Sequence, residues 1–274
     1  MNKRLLSFPY ILWIIVFTIV PIGAIFYYGL TVNTPEGLSF TFENIFKITE
    51  QVNWKSLRLA SWLAFLSTVL CLLLAYPLAL ILAKNKVGRN SFILFIFVLP
   101  MWMNFLLRTY AWLTLLENNG VINSILRALH LPTIHIINTQ NAVVLGMVYN
   151  FLPFMILPIY NVLVKIDSSL IEAAEDLGAN KFQTFFKVIF PLSLPGVISG
   201  ITMVFVPSVT TFVISNLLGG GKVLLIGNVI ENQFKYTNNW HVGSGLSLVL
   251  MIFIFISMAV ITRYDKNTEG AGLW

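Results

Sequence analysis

The sequence predicts an all-α fold, a polytopic membrane helix bundle of six transmembrane helices with both termini in the cytoplasm. Of the 274 residues, 57% are hydrophobic and only 10% are charged, whereas soluble domains carry about 25% charged residues. The apolar residues are gathered in long runs, and Lys and Arg are concentrated in alternate connections between these runs. This composition excludes both a water-exposed globular domain and a disordered chain.

The apolar segments are each long enough for a helix that crosses the hydrocarbon core, which takes about 20 residues. They cover residues 8–30, 57–83, 92–116, 142–164, 188–216 and 243–262. The first segment follows Lys3 and Arg4 in the manner of a signal peptide, but no small-residue cleavage site interrupts it as far as Tyr28. We therefore predict a retained first span.

The distribution of basic residues predicts the orientation. With a cytoplasmic N-terminus, the inner segments hold ten Lys and Arg residues and the outer segments hold six, as the positive-inside rule requires. The net charge of +6 then reflects loops that face an anionic leaflet, and we predict no nucleic-acid partner. Cys71 is the single cysteine and lies in an apolar run, which excludes a disulfide framework.

Prolines interrupt several of the predicted spans. Each one removes a backbone donor and bends its helix, and such breaks are tolerated where neighbouring helices or a water-filled cavity satisfy the carbonyl groups. The pattern favours a bundle that surrounds a path over a purely structural bundle of kinked helices. The prolines are Pro9, Pro21, Pro77, Pro100, Pro153, Pro158, Pro191, Pro195 and Pro207.

The connection at residues 167–196 predicts a short acidic helix on the cytoplasmic side. Ser169 and Glu172 have the spacing of a capping box, and Gly178 is placed to end the helix in the left-handed conformation. A second helix is expected to start near Asn180 and to run into the fifth span. Acidic residues near an anionic leaflet are unfavourable, so a docking element for a soluble partner is favoured over an amphipathic turn on the membrane.

The same residues resemble the EAA loop of type I ABC importer permeases. Glu172, Ala173, Ala174, Gly178 and Pro191 match that pattern, although Val188 and Phe190 stand where the family has Ile and Leu. The resemblance implies a permease core at 57–262, preceded by a first helix and outer loop at 1–56 and followed by a cytoplasmic tail at 263–274. It also implies that the five matching residues couple this chain to a cytoplasmic ATPase.

Three further stretches resemble the permeases of polyamine importers for spermidine and putrescine, in particular the first permease subunit. They are residues 100–110, 152–158 and 218–234. The implied partners are a second permease in a heterodimer, two copies of an ABC ATPase that binds ATP-Mg, and an extracellular or periplasmic polyamine-binding protein. The chain itself is expected to hold no cofactor and no ATPase site, and to reside in a bacterial cell (inner) membrane.

Two alternatives stay open at this point. An ABC permease for another small organic cation or an opine-like solute shares parts of the same stretches. A stand-alone secondary transporter is disfavoured because intramembrane carboxylates and internal repeats are not evident, and a membrane enzyme because no constellation of catalytic residues is found.

Candidate residues for the substrate pathway follow from polyamine chemistry. Carboxylates and aromatic faces attract ammonium groups, although Trp and Tyr also mark membrane interfaces. Arg108 is either a pathway residue or part of a structural pair, and repulsion of a polycation favours the structural role. His130, His135 and His241 are too scattered to predict a metal site. The pathway candidates are Asn104, Tyr110, Trp112, Glu117, Tyr149 and Glu231.

Overall fold

The computed structural model describes residues 3–35, 37–84 and 99–269. In this part of the chain, five helices are long and apolar enough to cross a membrane. They are Pro9–Gly29, Gln51–Lys84, Gln140–Leu163, Lys181–Thr210 and Trp240–Arg263. These correspond to five of the six segments predicted from sequence. The remaining segment, 92–116, begins outside the described residues, so the count of six spans stays a prediction.

Helices dominate the fold, with one short hairpin near the N-terminus. In chain order the elements are α1 (Lys3–Ile14), α2 (Val20–Gly29), β1 (Thr31–Thr34), β2 (Gly37–Phe40), α3 (Glu43–Phe46), α4 (Gln51–Lys84), α5 (Phe105–Leu116), α6 (Val121–Ala128), α7 (Gln140–Leu163), α8 (Ser168–Asp176), α9 (Lys181–Thr184), α10 (Phe190–Thr210), α11 (Val213–Leu218), α12 (Ile226–Lys235) and α13 (Trp240–Glu269). Single π turns at Ile15–Ile19 and Phe185–Ile189 and a 3₁₀ turn at Lys47–Thr49 join neighbouring helices.

The chain forms two compact units, of which the first contains residues 1–58 and 226–256. In this unit β1 and β2 pair antiparallel with Thr31 opposite Phe40. Asn44 holds the hairpin in place, because its buried Nδ2 donates to the carbonyls of Thr31 at 2.9 Å and Gly29 at 3.3 Å. A Cβ on Gly245 would lie 2.6 Å from Asn44, so only glycine permits this approach of α13.

The second unit contains residues 59–225 and 257–274, and within it α7 packs closely against α10. Gly196 and Gly200 form a small-xxx-small pair on α10, a spacing that brings membrane helices into close contact. A Cβ on Gly196 would lie 2.8 Å from the carbonyl oxygen of Pro158, and one on Gly200 would lie 2.6 Å from Sδ of Met155. The bare backbone of α10 therefore packs directly against α7.

The helices continue through their prolines. Pro153 and Pro158 lie inside α7, and Pro195 and Pro207 lie inside α10. The π turn at Phe185–Ile189 immediately precedes the N-terminal Pro191 of α10. Since proline cannot donate to the carbonyl four residues earlier, a wider turn at this point lets the helix resume with its remaining backbone groups paired.

Candidate functional site

The acidic helix of the predicted coupling loop (residues 167–196) is α8, and its N-cap is Asp167. The Asp167 carboxylate accepts a hydrogen bond from the Ser169 amide at 3.0 Å, and this bond lowers the pKa of Asp167 below its ordinary value. The predicted capping box of Ser169 and Glu172 is therefore wrong. Ser169 already lies in the first turn of α8, so its side chain cannot cap the helix that contains it.

The C-terminal end of α8 has the predicted left-handed glycine. Gly178 adopts φ +83°, which a residue without Cβ adopts at little cost. Its amide donates to the carbonyl of Glu175 at 2.9 Å, and the amide of Ala179 donates to that of Ala174 at 3.0 Å. These two bonds form a Schellman motif. It ends α8 at Asp176 and turns the chain towards the next helix.

The second helix of the coupling region starts where the sequence predicts. Asn180 is the N-cap of α9 and forms a reciprocal capping box with Gln183, with bonds of 2.9 and 3.0 Å. The helix continues through the π turn into α10, with Pro191 in its first turn. A capping box thus exists in this region, but it belongs to α9 rather than to α8.

The coupling loop presents apolar side chains to solvent beside its acidic ones. Leu177 is 89% exposed and Phe182 is 72% exposed, and Leu170 is also exposed. Glu172 and Ala173 are exposed on the same short helix, and Glu172 is in neither of the ion pairs formed among the described residues. These exposed apolar residues were not predicted as part of the site, although leucines in or beside an acidic, solvated helix are a recognisable sign of a partner surface.

The sequence predicts one uninterrupted helix over 92–116, but the structure has a break at Asn104. Asn104 is the N-cap of α5, and its Oδ1 accepts from the amides of Leu106 at 2.8 Å and Leu107 at 3.3 Å. Asn104 has non-helical backbone angles (φ −57°, ψ 127°), so the helix that contains Arg108 starts after it. Its side chain serves the first turn of α5.

Arg108 is buried in the second unit with 6% of its surface exposed. Nε and Nη1 of its guanidinium have no acceptor among the described residues. Neither of the ion pairs formed in the described part of the chain contains Arg108, so a structural role for Arg108 would rest on backbone carbonyls and not on a carboxylate. A buried arginine without a paired acid is rare in membrane helices and costly.

The other pathway candidates fall into three groups. Trp112 and Tyr149 are brought together, with ring centroids 5.2 Å apart in an edge-on arrangement, and both line an open apolar groove. Tyr110 on α5 and Glu117, which is the C-cap of α5, are exposed. Glu231 belongs to the first unit, where it forms an ion pair with Lys235 at 2.6 Å that raises the pKa of Lys235. A substrate role for these residues stays a prediction.

The chain matches a known protein family and several of its members. Residues 75–269 match the model of the binding-protein-dependent transport system inner membrane component. The chain is 38% identical over 265 residues to the spermidine/putrescine transport system permease protein PotB of Haemophilus influenzae, covering 93% of this chain and 91% of that protein. The PotB protein of Escherichia coli is 38% identical over 229 residues, covering 83% of each chain.

A solved structure shares the fold. One chain in the crystal structure of a bacterial alginate ABC transporter, in complex with an alginate pentasaccharide-bound periplasmic protein, superimposes with a TM-score of 0.80. It is 14% identical and covers 96% of this chain and 93% of that one. The family match and the relatives together show that the chain belongs to the inner membrane components of binding-protein-dependent ABC transport systems.

Proposed function

We propose that this chain is a permease subunit of an ATP-driven importer for the polyamines spermidine and putrescine, and that it forms half of the translocation pathway. The similarity to PotB over 93% of the chain supports this substrate class. The partners would be a second, distinct permease, two copies of a cytoplasmic ATPase and a polyamine-binding protein outside the cell. The ATPase subunits would bind ATP-Mg.

The proposed coupling role rests on the exposure of helix α8. It is short, it is closed at both ends by local hydrogen bonds, and it displays Glu172 and Leu177 to solvent. Capping at both ends satisfies backbone groups at the two ends of α8 and so stabilises this short helix. We propose that α8 docks in the ATPase and transmits its movement through α9 to α10.

The proposed topology places both termini and the coupling loop inside. The span Lys181–Thr210 begins shortly after α8, so residue 210 would lie on the outer side. The next two helices, α11 and α12, have 6 and 10 residues, which is too short to cross a bilayer. The last span would then start outside at Trp240 and return to a cytoplasmic C-terminus.

Cysteine labelling with a membrane-impermeant reagent tests this topology in a Cys71→Ser background. We expect Asn119→Cys and Tyr236→Cys to react in intact cells and Lys181→Cys to react only after permeabilisation. Asn119 is preferred over its neighbour Gly120, where a Cβ would lie 2.4 Å from the Thr114 carbonyl oxygen. Labelling of position 181 in intact cells would contradict the topology.

Uptake of radiolabelled putrescine tests the proposed function. Bacteria without their own polyamine import should accumulate it only when this chain is expressed with a second permease, the ATPase and the binding protein. Excess spermidine should compete, whereas uncharged 1,4-butanediol should not. Uptake that resists vanadate would contradict an ATP-driven mechanism, and an active homodimer purified without a second permease would contradict the proposed assembly. Competition by an opine or another organic cation alone would contradict the substrate class.

A further inference from the structure

A cleft of about 500 Å³ opens in the first unit beside the end of α2 and the start of α13. Its lining is aromatic and amide-rich, and none of its seven described lining residues is Lys, Arg, Asp or Glu. The cleft adjoins the ends of two spans, Pro9–Gly29 and Trp240–Arg263. In the topology proposed above, these ends lie at the outer surface of the membrane.

Aromatic rings make one wall of the cleft. The ring centroid of Tyr28 lies 6.0 Å from that of Trp240 and 5.5 Å from that of His241. The indole of Trp240 also contacts the ring of Phe234 at 5.4 Å in an edge-on arrangement, and half of its surface is exposed. The indole is therefore held by packing on its neighbours while part of it stays open to solvent.

Three polar groups of the cleft, on Trp240, Thr237 and His241, form hydrogen bonds within the chain. The indole N–H of Trp240 donates to Oδ1 of Asn238 at 2.8 Å, and the hydroxyl of Thr237 donates to the carbonyl of Gln233 at 3.0 Å. Nδ1 of His241 lies 3.0 Å from the carbonyl oxygen of Tyr28. Because a carbonyl only accepts, Nδ1 carries a hydrogen, and Nε2 of the neutral ring is then an acceptor.

The hydrogen-bond acceptors and the aromatic ring faces of the cleft favour a ligand that carries a positive charge and donates hydrogen bonds. An ammonium group gains from the face of a tryptophan or tyrosine, and its three N–H groups match amide and imidazole acceptors. An anion would find neither Lys nor Arg among the described lining residues, and a neutral diol gains nothing from the ring quadrupole. The lack of a carboxylate among the described lining residues keeps such binding weak, as transport requires of a site that must also release its solute.

We propose that this cleft binds one primary ammonium group of a polyamine at the outer surface, before the substrate enters the pathway. The substrate class and the sidedness rest on the proposed function, whereas the preference for an alkylammonium group rests on the cleft alone. Trp240 is the central residue of the site, with Tyr28 and His241 beside it.

Substitution of Trp240 tests the cleft in the complete permease–ATPase complex. In cells we expect Trp240→Leu to raise the KM for putrescine uptake about three-fold, the effect of one cation–π contact at a partly exposed site, with Vmax unchanged. Trp240→Phe should recover most of this loss because it keeps an aromatic face. Tyr236→Leu is the matched control, since Tyr236 is a neighbouring exposed aromatic residue that does not line the cleft.

Saturation-transfer NMR measures the binding of putrescine to the cleft independently of uptake. The sample is the complex in nanodiscs without binding protein. Putrescine should receive saturation from the wild-type and Trp240→Phe complexes and less from the Trp240→Leu complex, and 1,4-butanediol should receive none. Equal transfer and equal KM in wild type and Trp240→Leu would overturn the proposal. If wild-type cells take up no putrescine while the transfer still depends on Trp240, the proposed function fails and the cleft is supported.

Discussion

Replacement of Gly178 by valine is expected to abolish uptake while the permease remains inserted in the membrane. The backbone of Gly178 has φ +83°, where a residue with a Cβ costs about 1–2 kcal/mol and a β-branched one is a genuine outlier. No other atom lies within 4 Å of the position that a Cβ would occupy. The effect would therefore arise from backbone conformation rather than from a clash.

Gly178→Asn is the matched control for this prediction. Asparagine tolerates the left-handed region far better than valine, and space around the site is open to it, so this variant should retain most of the uptake. The measurements are uptake and co-purification of the ATPase, with substrate binding to the extracellular receptor expected to stay normal in both. Wild-type uptake and ATPase binding in Gly178→Val would contradict the coupling role of α8.

Glu172→Lys tests the same surface, because it replaces a negative charge on α8 with a positive one. Because Asp167 rather than Glu172 caps α8, the helix should keep its N-terminal hydrogen bond in this variant. Any loss of ATPase attachment would then report on the docking surface itself. Comparison of this variant with Gly178→Val separates the effect of the shape of the coupling loop on uptake from the effect of its charge.

Replacement of Gly196 by valine is expected to prevent accumulation of folded permease. The added Cβ would lie 2.8 Å from the Pro158 carbonyl oxygen and 3.1 Å from Cα of Ile159. Backbone atoms cannot turn away as a side chain can, so α7 and α10 would have to separate. Overpacking of this kind costs about 1–3 kcal/mol and occasionally more, and loss of contact along both helices adds to it.

Ser199→Val is the control for the Gly196 variant. Ser199 lies on the same helix but its side chain is exposed, so this variant introduces the same β-branched residue without a contact on α7. Detergent-solubilised protein should be compared by size-exclusion yield and by thermal unfolding. Equal yield and equal Tm for Gly196→Val and Ser199→Val would contradict close packing at Gly196.

Local features of the coupling loop could be predicted from sequence because they depend on neighbours along the chain. Gly178 ends its helix through bonds that reach back only to Ala174 and Glu175, and the next helix starts at Asn180 through a bond to Gln183. The helices predicted as spans are likewise determined by runs of apolar residues. In each case composition or short-range hydrogen bonding decides the outcome.

The N-terminus of α8 shows where local reasoning fails. Asp167 and Ser169 are both good N-cap residues, and the sequence predicts Ser169 because Glu172 follows at the capping-box spacing. The chain leaves α7 through a turn in which the amides of Lys165 and Ile166 donate to carbonyls of α7. Asp167 is the first residue with extended backbone after that turn, so the helix begins there and Ser169 falls inside it.

Amino-acid composition by itself determined that this chain is a membrane protein, and the residue pattern at 172–191 determined its class. Tertiary structure alone decided which residues are buried and which helices meet. Arg108 is buried with no acceptor for Nε or Nη1 in the part of the chain that the structure describes, and the small-residue face of Gly196 and Gly200 packs on α7. Sequence periodicity does not reveal such contacts, because in apolar helices lipid-facing and protein-facing positions draw on the same residue types, so only the packing of one helix on another distinguishes them.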